Sequence, residues 1–369
     1  MIKKRSYFRN KKILITGHTG FKGSWLTYWL TNLGAKVIGI SNDFPTKPSI
    51  FKILNKNNKK IISYFKNIED FKQIKKIFLK HKPDMVFHLA AQSLVKVSYT
   101  NPKKTFDTNF LGTLNILECL RNINFKCNAV FITSDKSYKN IEINRGYLEN
   151  DLLGGKDPYS SSKATAEFAI YSYFNSFLKY KRNVRIGIAR AGNVIGGGDW
   201  SKDRIIPDIV RATVNNQKIN IRNPEATRPW QHVFEIISGY LLLMINLSVK
   251  KKLTGEAFNF GPRVKKKFTV LKILRLSKRF WPKIKWKIKK DNNFFESKLL
   301  SLNSNKANRF LGWRDVMSNE QKVAYTLEWY KKFYTNKKII MNFSYNQLKK
   351  FTKILKSKIK KKYVTNINI

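Results

Sequence analysis

Hydrophobic and polar positions follow one another along the chain in blocks that predict short buried strands alternating with amphipathic helices. An apolar run at 13–15 is followed by apolar residues at helical spacing from Trp25 to Leu33, and a second buried run occupies 36–41. Further pairs of helix and strand follow, at 71–91, 105–132, 159–189 and 233–260. Strands separated by helices are typical of a parallel sheet that is covered on both faces. The pattern therefore predicts an α/β fold with a doubly wound parallel sheet.

The pattern changes after residue 195, where glycine-rich and arginine-containing loops replace the regular alternation. We interpret this change as a smaller, C-terminal substrate-binding lobe that interleaves with the sheet domain along the chain. The predicted division is a basic lead at 1–11, a Rossmann-type domain at 12–195 plus 231–262, a lobe at 196–230 plus 263–332, and a lysine-rich tail at 333–369. We expect the tail to be a solvated appendage and the lead to be mobile.

Basic residues dominate the composition, because 73 Lys and Arg stand against 23 Asp and Glu, a net charge of +50 over 369 residues. The lysines are spread from end to end, without zinc-finger spacing, an RNA-recognition signature or a basic zipper. We therefore expect no specific nucleic-acid partner, although a basic surface attracts anionic substrates.

The cysteine count and the short apolar stretches predict a cytosolic protein whose cysteines are reduced. Two cysteines, Cys119 and Cys127, are too few for a disulfide framework, and four histidines offer no metal-ligand cluster. The N-terminus lacks an apolar signal core, and the longest apolar stretch, 240–247, is too short to span a bilayer. We expect neither a metal nor membrane insertion.

A glycine-rich turn joins the first strand to the first helix, with the sequence Gly17-His18-Thr19-Gly20-Phe21-Lys22-Gly23. Glycines in this place let backbone amides approach a pyrophosphate at the N-terminus of the helix. Asp43 follows the second strand, where a carboxylate bonds the adenosine ribose and disfavours a 2′-phosphate. The pattern predicts a Rossmann-type domain that binds NAD rather than NADP.

Two groups of polar residues in the middle of the chain carry the candidate chemistry. Ser134, Asp135 and Lys136 come directly after a buried apolar run, and Tyr159 and Lys163 lie at the start of a helix. Because ligands bind beyond the carboxyl ends of parallel strands, these five side chains should share one crevice. The Lys163 ammonium, one helical turn from Tyr159, favours the tyrosinate, so we expect the phenol to act as a base near neutral pH.

Several strings of residues make the chain similar to a known family. The discriminating strings are TGHTGFKGSW at 16–25 and TSDK at 133–136. Others are HLAAQ at 88–92, DPYSSSK at 157–163, RAGNVIGGGDW at 190–200 and RPWQH at 228–232. Over 12–332 the chain resembles the extended short-chain dehydrogenase/reductases, and within them the CDP-glucose 4,6-dehydratases. Related dTDP-glucose and GDP-mannose dehydratases carry a Thr/Ser-Asp-Glu triplet instead, and epimerases lack the acid–base pair.

The resemblance implies tightly held NAD, CDP-glucose as the substrate, and a homodimer that forms through the helices at 105–121 and 159–180. The cofactor-binding residues that it implies are Gly17, Thr19, Gly20, Phe21, Lys22, Gly23, Asp43, Leu89, Ala90, Ala91, Asn109, Tyr159 and Lys163. The substrate-binding residues are Gln92, Asn193, Arg204, Arg222 and Arg228. For the arginines, bidentate pairing with the substrate pyrophosphate is the expected contact.

The resemblance also implies a redox-neutral elimination in deoxysugar or surface polysaccharide biosynthesis. Tyr159 takes the C4 hydroxyl proton while a hydride passes from C4 to NAD, and Ser134 and Lys163 assist. Lys136 removes the C5 proton, Asp135 protonates the departing C6 hydroxyl, and the hydride returns to C6.

Two departures and two alternatives stand beside this interpretation. The family usually carries an acidic residue before Ile68, where this chain has Asn67, and a His-Pro-His-Glu-type run that is missing after Asp291. One alternative is a nucleotide-sugar epimerase or a dehydratase for another base. The other is a basic nucleic-acid-binding protein that keeps a Rossmann scaffold without catalysis.

Overall fold

The structure, a computed structural model, describes residues 6–263, 268–288, 299–359 and 366–367 of the chain. Its strands are β1 (Lys12–Thr16), β2 (Lys36–Ser41), β3 (Ile61–Phe65), β4 (Met85–His88), β5 (Cys127–Ile132), β6 (Val184–Ala191), β7 (Val194–Ile195), β8 (Ile219–Ile221), β9 (Gln231–His232), β10 (Ala257–Phe260) and β11 (Trp286–Ile288). Its α-helices are α1 (Phe21–Asn32), α2 (Ile50–Asn55), α3 (Phe71–His81), α4 (Val95–Thr100), α5 (Pro102–Phe106), α6 (Gly112–Asn122), α7 (Pro158–Ser176), α8 (Ile205–Val214), α9 (Val233–Val249), α10 (Val270–Phe280), α11 (Asn305–Leu311), α12 (Asn319–Thr335) and α13 (Ile340–Lys358). A π-helical turn at Asp107–Leu111 links α5 to α6.

Seven strands form one parallel sheet in the order β10-β6-β5-β4-β1-β2-β3. This arrangement confirms the predicted Rossmann-type sheet. The chain runs outward from β1 through β2 to β3 and then returns to the other side of β1. There β4 pairs with β1, and His88 of β4 lies opposite Thr16 of β1. Loops after β1 and β4 therefore diverge at their carboxyl ends, and a crevice for a ligand opens between them.

The main sheet is buried on both faces. Ile13 and Ile15 of β1 pack in a hydrophobic cluster that includes residues of α1 and α9, whereas Leu14 packs with residues of α3, α6 and α7. Successive strand side chains point to opposite faces, so a strand that is covered twice needs apolar residues at every position. This requirement explains why the strands read as unbroken apolar runs in the sequence.

Two small parallel sheets lie outside the main one, β7 with β9 and β8 with β11. The second sheet joins segments that lie on either side of β10 in the chain, and α10 packs against α12. These pairings support our proposal that 196–230 and 263–332 form an interleaved second lobe. The predicted departure after Asp291 lies outside the described residues.

Both cysteines, Cys119 and Cys127, are buried free thiols. Within the described residues, no helix combines the length and apolar character that crossing a membrane requires. The same residues contain no group of three or more His, Cys, Asp or Glu that could hold a metal ion.

The C-terminal segment is not a solvated appendage, so that expectation is wrong for the described residues. Helix α13 buries Leu348, Phe351 and Leu355 completely, and the Phe351 ring meets the Trp29 ring edge-on at 5.9 Å. The Trp29 indole donates to the carbonyl of Ile367 at 3.0 Å. An apolar stripe at helical spacing on α13 finds a matching aromatic surface on α1, a long-range match that composition alone does not reveal. The described part of the basic lead is also packed, because Phe8 is fully buried.

Truncating Phe351 tests this docking. We expect Phe351→Ala to lower the free energy of unfolding by about 3–5 kcal/mol, because the ring is removed from a closed aromatic contact. Met341→Ala in the same helix is the matched control, since Met341 is 48% exposed, and it should change stability by less than about 0.5 kcal/mol. Urea unfolding of the two variants and the parent measures the difference. Equal unfolding midpoints would show that α13 contributes nothing.

Candidate active site

In the glycine turn between β1 and α1, the amides of Gly17, Thr19 and Gly20 donate within the protein, and the amides at the uncapped start of α1 are left for a ligand. Gly17 has φ +72°, and a Cβ there would lie 2.9 Å from the Ala90 nitrogen, so only glycine fits against the loop after β4. A Cβ at Gly23 would lie 2.1 Å from the Gly17 oxygen. Gly20 precedes α1 without a side-chain cap, and no acidic residue occupies the first turn of the helix. The predicted residues of the turn therefore fit a dinucleotide pyrophosphate, which the amides and the helix dipole attract.

Asp43 lies just beyond β2, where the ribose-binding carboxylate was predicted. The Thr19 hydroxyl donates to the Asp43 carbonyl at 2.6 Å, which ties the glycine turn to the end of β2. The Asp43 side chain is exposed and accepts from the Phe44 amide at 2.6 Å. Its second carboxylate oxygen can therefore serve a ligand. Asn67, which replaces an acidic residue of the family, is also exposed.

The buried His18 side chain supports the glycine turn, a role that was not predicted from the sequence. Its ring is fully buried between the hydroxyls of Ser41 and Ser63, both at 2.9 Å. Burial lowers the pKa of His18 to about 4, so the imidazole is neutral. A Cβ at Gly39 would come within 2.2 Å of the ring. The glycine inside β2 was the available signal, because a strand glycine often marks the close approach of another group.

The loop after β4 is tied to α7 through Asn109. The Asn109 amide accepts from the Gln92 nitrogen at 2.8 Å and donates to the Ser162 hydroxyl at 2.8 Å. The Gln92 side chain donates to Thr105 and to a loop carbonyl, so it holds the loop that contains Leu89, Ala90 and Ala91. Asn109 and Gln92 therefore fix the position of the loop that borders the cofactor crevice.

His88 is a hydrogen-bonded histidine of the core. It lies 2.8 Å from the Thr16 hydroxyl and 3.2 Å from the Thr113 hydroxyl. Burial lowers its pKa to about 3, and the ring is neutral. The residue links the ends of β1 and β4 below the crevice.

The carboxyl end of β5 presents Ser134, Asp135 and Lys136 in one tight turn. Asp135 is only 3% exposed, and its Oδ1 accepts from the Ser134 hydroxyl at 3.1 Å, whereas its Oδ2 is buried without a hydrogen-bond partner. Burial raises the pKa of Asp135, although the charges of Lys136 and Arg228 and the Ser134 hydroxyl oppose the rise. A buried carboxyl with one oxygen unsatisfied is suited to carry a proton and to donate it.

Tyr159 and Lys163 lie on the first turns of α7, which Asp157 caps by accepting from the Ser160 amide at 3.0 Å. The structure differs from the expectation that Lys163 lowers the pKa of Tyr159. Burial raises this pKa above its ordinary value, and the opposing influences are the Ser134 hydrogen bond and the charge of Arg204. Burial also lowers the pKa of Lys163 to about 8. Desolvation of the phenolate outweighs any attraction by the nearby ammonium.

Lys22 brings a further cation to the crevice. Its ammonium lies 3.5 Å from the Tyr240 hydroxyl of α9. The pKa of Lys22 is lowered to about 7, chiefly by burial and also by the charges of Lys163 and Arg204, while the charge of Asp135 opposes the fall. The glycine turn and the catalytic candidates thus share one electrostatic environment. Tyr240 was missed because it lies within an otherwise apolar helix.

Apart from Gln92, which holds the loop after β4, the predicted substrate residues divide into two groups. Arg204 pairs with Asp199 at 2.9 Å and reaches the Ser93 hydroxyl at 3.3 Å, and its charge acts on Tyr159. Arg228 acts on Asp135. The structure therefore brings these two arginines to the crevice.

Arg222 and Asn193 are placed differently. Arg222 follows β8, and its charge acts on Asp208 of α8. Asn193 is exposed, and its carbonyl accepts from the Gln231 amide at 2.9 Å. Within the described residues, no hydrogen bond or ion pair joins either side chain to the catalytic candidates.

A glycine turn at the switch point of a parallel sheet, with a tyrosine and a lysine one turn apart beside it, defines an extended short-chain dehydrogenase/reductase. The comparison with family models narrows this class, because the model of GDP-mannose 4,6 dehydratase matches residues 14–326. The chain belongs to this family of nucleotide-sugar dehydratases.

Characterised relatives and solved structures agree with this assignment. The chain is 42% identical over 332 residues to the CDP-glucose 4,6-dehydratase of Salmonella typhimurium, and the match covers 89% of this chain and 92% of the relative. The dTDP-D-glucose 4,6-dehydratase of Dictyostelium discoideum is 31% identical over 266 residues, covering 68% of this chain and 58% of the relative. The fold is similar to the UDP-glucose 4-epimerase of Thermotoga maritima, with a TM-score of 0.74 and 23% identity over 88% of this chain and 99% of the other.

Proposed function

We propose that the protein is a hydro-lyase that converts CDP-glucose to CDP-4-keto-6-deoxyglucose and water with NAD as its cofactor. The observation that carries this proposal is the buried Asp135, which lies next to Lys136 and hydrogen-bonds Ser134, the residue that also bonds Tyr159. An epimerase needs an acid–base group for the C4 hydroxyl alone, whereas an elimination also needs a base at C5 and an acid at the C6 oxygen. The similarity to the Salmonella enzyme supports CDP-glucose as the substrate.

The chain would hold NAD with two sets of groups. The amides at the start of α1 would bind the pyrophosphate, and the Asp43 carboxylate would bond the adenosine ribose. Leu89, Ala90 and Ala91, which follow β4, and Lys163 would complete the cofactor site. When bound, NAD would supply a hydride acceptor for C4, a hydride donor for C6, and a positive charge that favours the Tyr159 phenolate.

In the oxidation, Tyr159 accepts the proton of the C4 hydroxyl. Ser134 orients that hydroxyl through the hydrogen bond that it shares with the phenol. Because burial raises the pKa of Tyr159, the proton transfer depends on groups that favour the phenolate, which are the Ser134 hydrogen bond and the charge of Arg204. The product is a 4-ketone that acidifies the hydrogen on C5.

In the elimination, Lys136 takes the C5 proton and Asp135 gives a proton to the C6 oxygen, which leaves as water. The C5–H electrons form the C5–C6 double bond as the C6–O bond breaks. When the hydride is added at C6, the Lys136 ammonium returns a proton to C5, and the proton that Tyr159 took replaces, through solvent, the one that Asp135 gave up, so charge and atoms balance over the cycle. Burial raises the pKa of Asp135, so a larger fraction of the carboxyl carries its proton at neutral pH than in an exposed aspartate. Arg228 lies close enough to act on this carboxyl and is the main candidate for the substrate pyrophosphate, together with Arg204.

Product analysis with CDP-, dTDP-, UDP- and GDP-glucose and GDP-mannose under one set of conditions tests the proposal. We expect a 4-keto-6-deoxy product from CDP-glucose at a rate at least about tenfold above the others, since a lost base contact costs on the order of 1.4 kcal/mol or more. A change of configuration at C4 without loss of water would instead show an epimerase. Binding of a defined DNA duplex that exceeds the binding of heparin would favour the nucleic-acid alternative.

The preference for NAD provides a separate prediction. We expect the protein to bind NAD more tightly than NADP, and Asp43→Ala to reduce this preference about tenfold to a hundredfold by removing a charged hydrogen bond. The neighbouring Asn42→Ala, also an exposed position, is the control and should leave the ratio unchanged. Dissociation constants measured by calorimetry decide the matter. A parent protein that prefers NADP would overturn the role of Asp43.

We also propose that the protein is a homodimer through α6 and α7. These helices and their ends expose large apolar side chains that a single copy leaves uncovered, namely Leu111, Phe168, Tyr171, Phe177 and Tyr180. Tyr171 is 70% exposed, and we expect Tyr171→Glu to shift the protein to monomers. The control is Met341→Glu on α13, a helix that packs on α2 and α12, where the side chain is 48% exposed. Sedimentation analysis that finds the parent monomeric would remove the proposal.

The expected setting is cytosolic deoxysugar biosynthesis. The buried free thiols Cys119 and Cys127 are compatible with a reducing compartment. A 4-keto-6-deoxy sugar nucleotide carries a reactive ketone, which a reductase, aminotransferase or epimerase must consume before the sugar enters a surface polysaccharide.

A further inference from the structure

A buried ion pair lies directly behind the catalytic candidates, and the reaction described above does not use it. Arg190 of β6 and Glu167 of α7 have side chains that are 5% and 1% exposed. The guanidinium binds the carboxylate through two nitrogens, because Arg190 Nη2 lies 2.5 Å and Arg190 Nε 2.8 Å from Glu167 Oε2. Such a pair holds its geometry tightly, since both groups are fully desolvated and oriented.

The other oxygen of this carboxylate, Oε1, also accepts from Arg190 Nε at 3.0 Å, and it contacts both ends of the turn that follows β5. Glu167 Oε1 accepts from the Thr133 hydroxyl at 2.7 Å, and the Ser137 hydroxyl lies 2.9 Å away. The Ser137 hydroxyl also lies 2.7 Å from the Ser134 carbonyl, so it bridges the Glu167 carboxylate and the turn. Residues 133 and 137 flank the three catalytic candidates at 134–136 on either side.

Glu167 belongs to the same helix as the redox pair. It lies one turn after Lys163 and two turns after Tyr159 in α7. The carboxylate therefore joins the helix that carries out the C4 oxidation to the loop that carries out the elimination. Arg190 adds two further contacts to the ion pair, because it donates to the Tyr138 hydroxyl at 2.7 Å and to the Glu149 carbonyl at 2.8 Å.

We propose that Glu167 is a positioning residue that fixes the turn of Ser134, Asp135 and Lys136 relative to Tyr159 and Lys163. The inference rests on the proposed function and deepens it. The oxidation needs the C4 hydroxyl beside Tyr159, whereas the elimination needs C5 and C6 of the same sugar beside Lys136 and Asp135. A loop that drifts from α7 slows the first step only modestly, because Ser134 assists there while Tyr159 and Lys163 stay on the helix. The second step loses far more, because its base and its acid both belong to the loop and a displacement of about 1 Å can cost on the order of a hundredfold in rate.

Direct removal of Glu167 leaves the Arg190 charge buried and threatens folding, so the test removes the hydroxyls that it holds. The double variant Thr133→Val with Ser137→Ala breaks the loop contacts and keeps the ion pair. Thr133→Ser is the conservative variant, because it retains the hydroxyl. Thr165→Val removes a hydroxyl of α7 that bonds only within the helix, to the Ser161 carbonyl at 2.9 Å, and controls for the loss of a hydroxyl as such.

Three readouts separate positioning from general stability. On mixing with CDP-glucose, the double variant should form reduced cofactor within about threefold of the parent rate, while deuterium wash-in at C5 falls about tenfold to a hundredfold. Amide hydrogen exchange at 134–138 should rise, and exchange in α7 should not. Thr133→Ser and Thr165→Val should behave like the parent in all three measurements.

Each opposing outcome has its own meaning. Equal losses in reduced-cofactor formation and C5 exchange, or an unchanged C5 exchange, would overturn the positioning role of Glu167. A parent protein that makes no keto product from any nucleotide sugar would instead overturn the proposed function. The amide exchange of the loop would still decide in that case whether the Glu167 contacts hold it.

Discussion

Tyr159→Phe should abolish both halves of the reaction, so that mixing with CDP-glucose gives neither enzyme-bound NADH nor a keto product. In the proposed mechanism the phenol takes the C4 proton, and without the oxidation the C5 hydrogen is not acidified. Loss of a positioned base costs about 10²–10⁴ in rate. Rapid-mixing absorbance of the reduced cofactor and product analysis by NMR measure the two halves.

The matched control is Tyr173→Phe on the same helix. Tyr173 is partly buried and donates to Glu118 at 3.0 Å, away from the crevice, so its replacement should leave both signals intact. Thermal melting of both variants shows whether the fold is preserved. Formation of reduced cofactor by Tyr159→Phe at the parent rate would mean that another group takes the C4 proton.

Lys136→Ala separates the two halves. Oxidation at C4 requires only Tyr159, Ser134 and Lys163, so this variant should accumulate bound NADH on mixing with CDP-glucose. Exchange of the C5 hydrogen with solvent deuterium should fall by about 10²–10⁴, because the base for that proton is missing. The product should decline by a similar factor.

Lys139→Ala provides the comparison, since Lys139 is an exposed lysine three residues further along the same loop. It should retain parent rates in both measurements. If Lys136→Ala exchanges C5 hydrogen as fast as the parent, Lys136 is not the base. Its charge would then serve to lower the pKa of Asp135 or to steady the 4-keto oxygen.

Much of the sheet and the meeting of the site residues could be predicted from local patterns. Strands covered on both faces leave unbroken apolar runs, and the polar residues that end them must gather at one edge of a parallel sheet. This logic is enough to bring Ser134 and Tyr159 together from positions 25 residues apart in the sequence.

Features that depend on partners distant in the sequence could not be predicted in this way. β3 was missed because it is an edge strand that exposes Ile62 and Phe65, so it lacks a buried apolar run. The expected fall in the Tyr159 pKa considered Lys163 and could not include the desolvation that the surrounding fold imposes. The role of Glu167 depends on contacts with β5 and β6 that no spacing within α7 reveals.

The packing of α1 also sets the order in which the protein can be completed during synthesis. Helix α1 is translated well before Phe234 of α9, Phe351 of α13 and the Ile367 carbonyl, which cover its Trp29. Domains generally fold as units during synthesis, and this aromatic surface cannot be fully covered before α13 has been made. The nascent chain therefore leaves part of an apolar helix face exposed until these later segments dock on it.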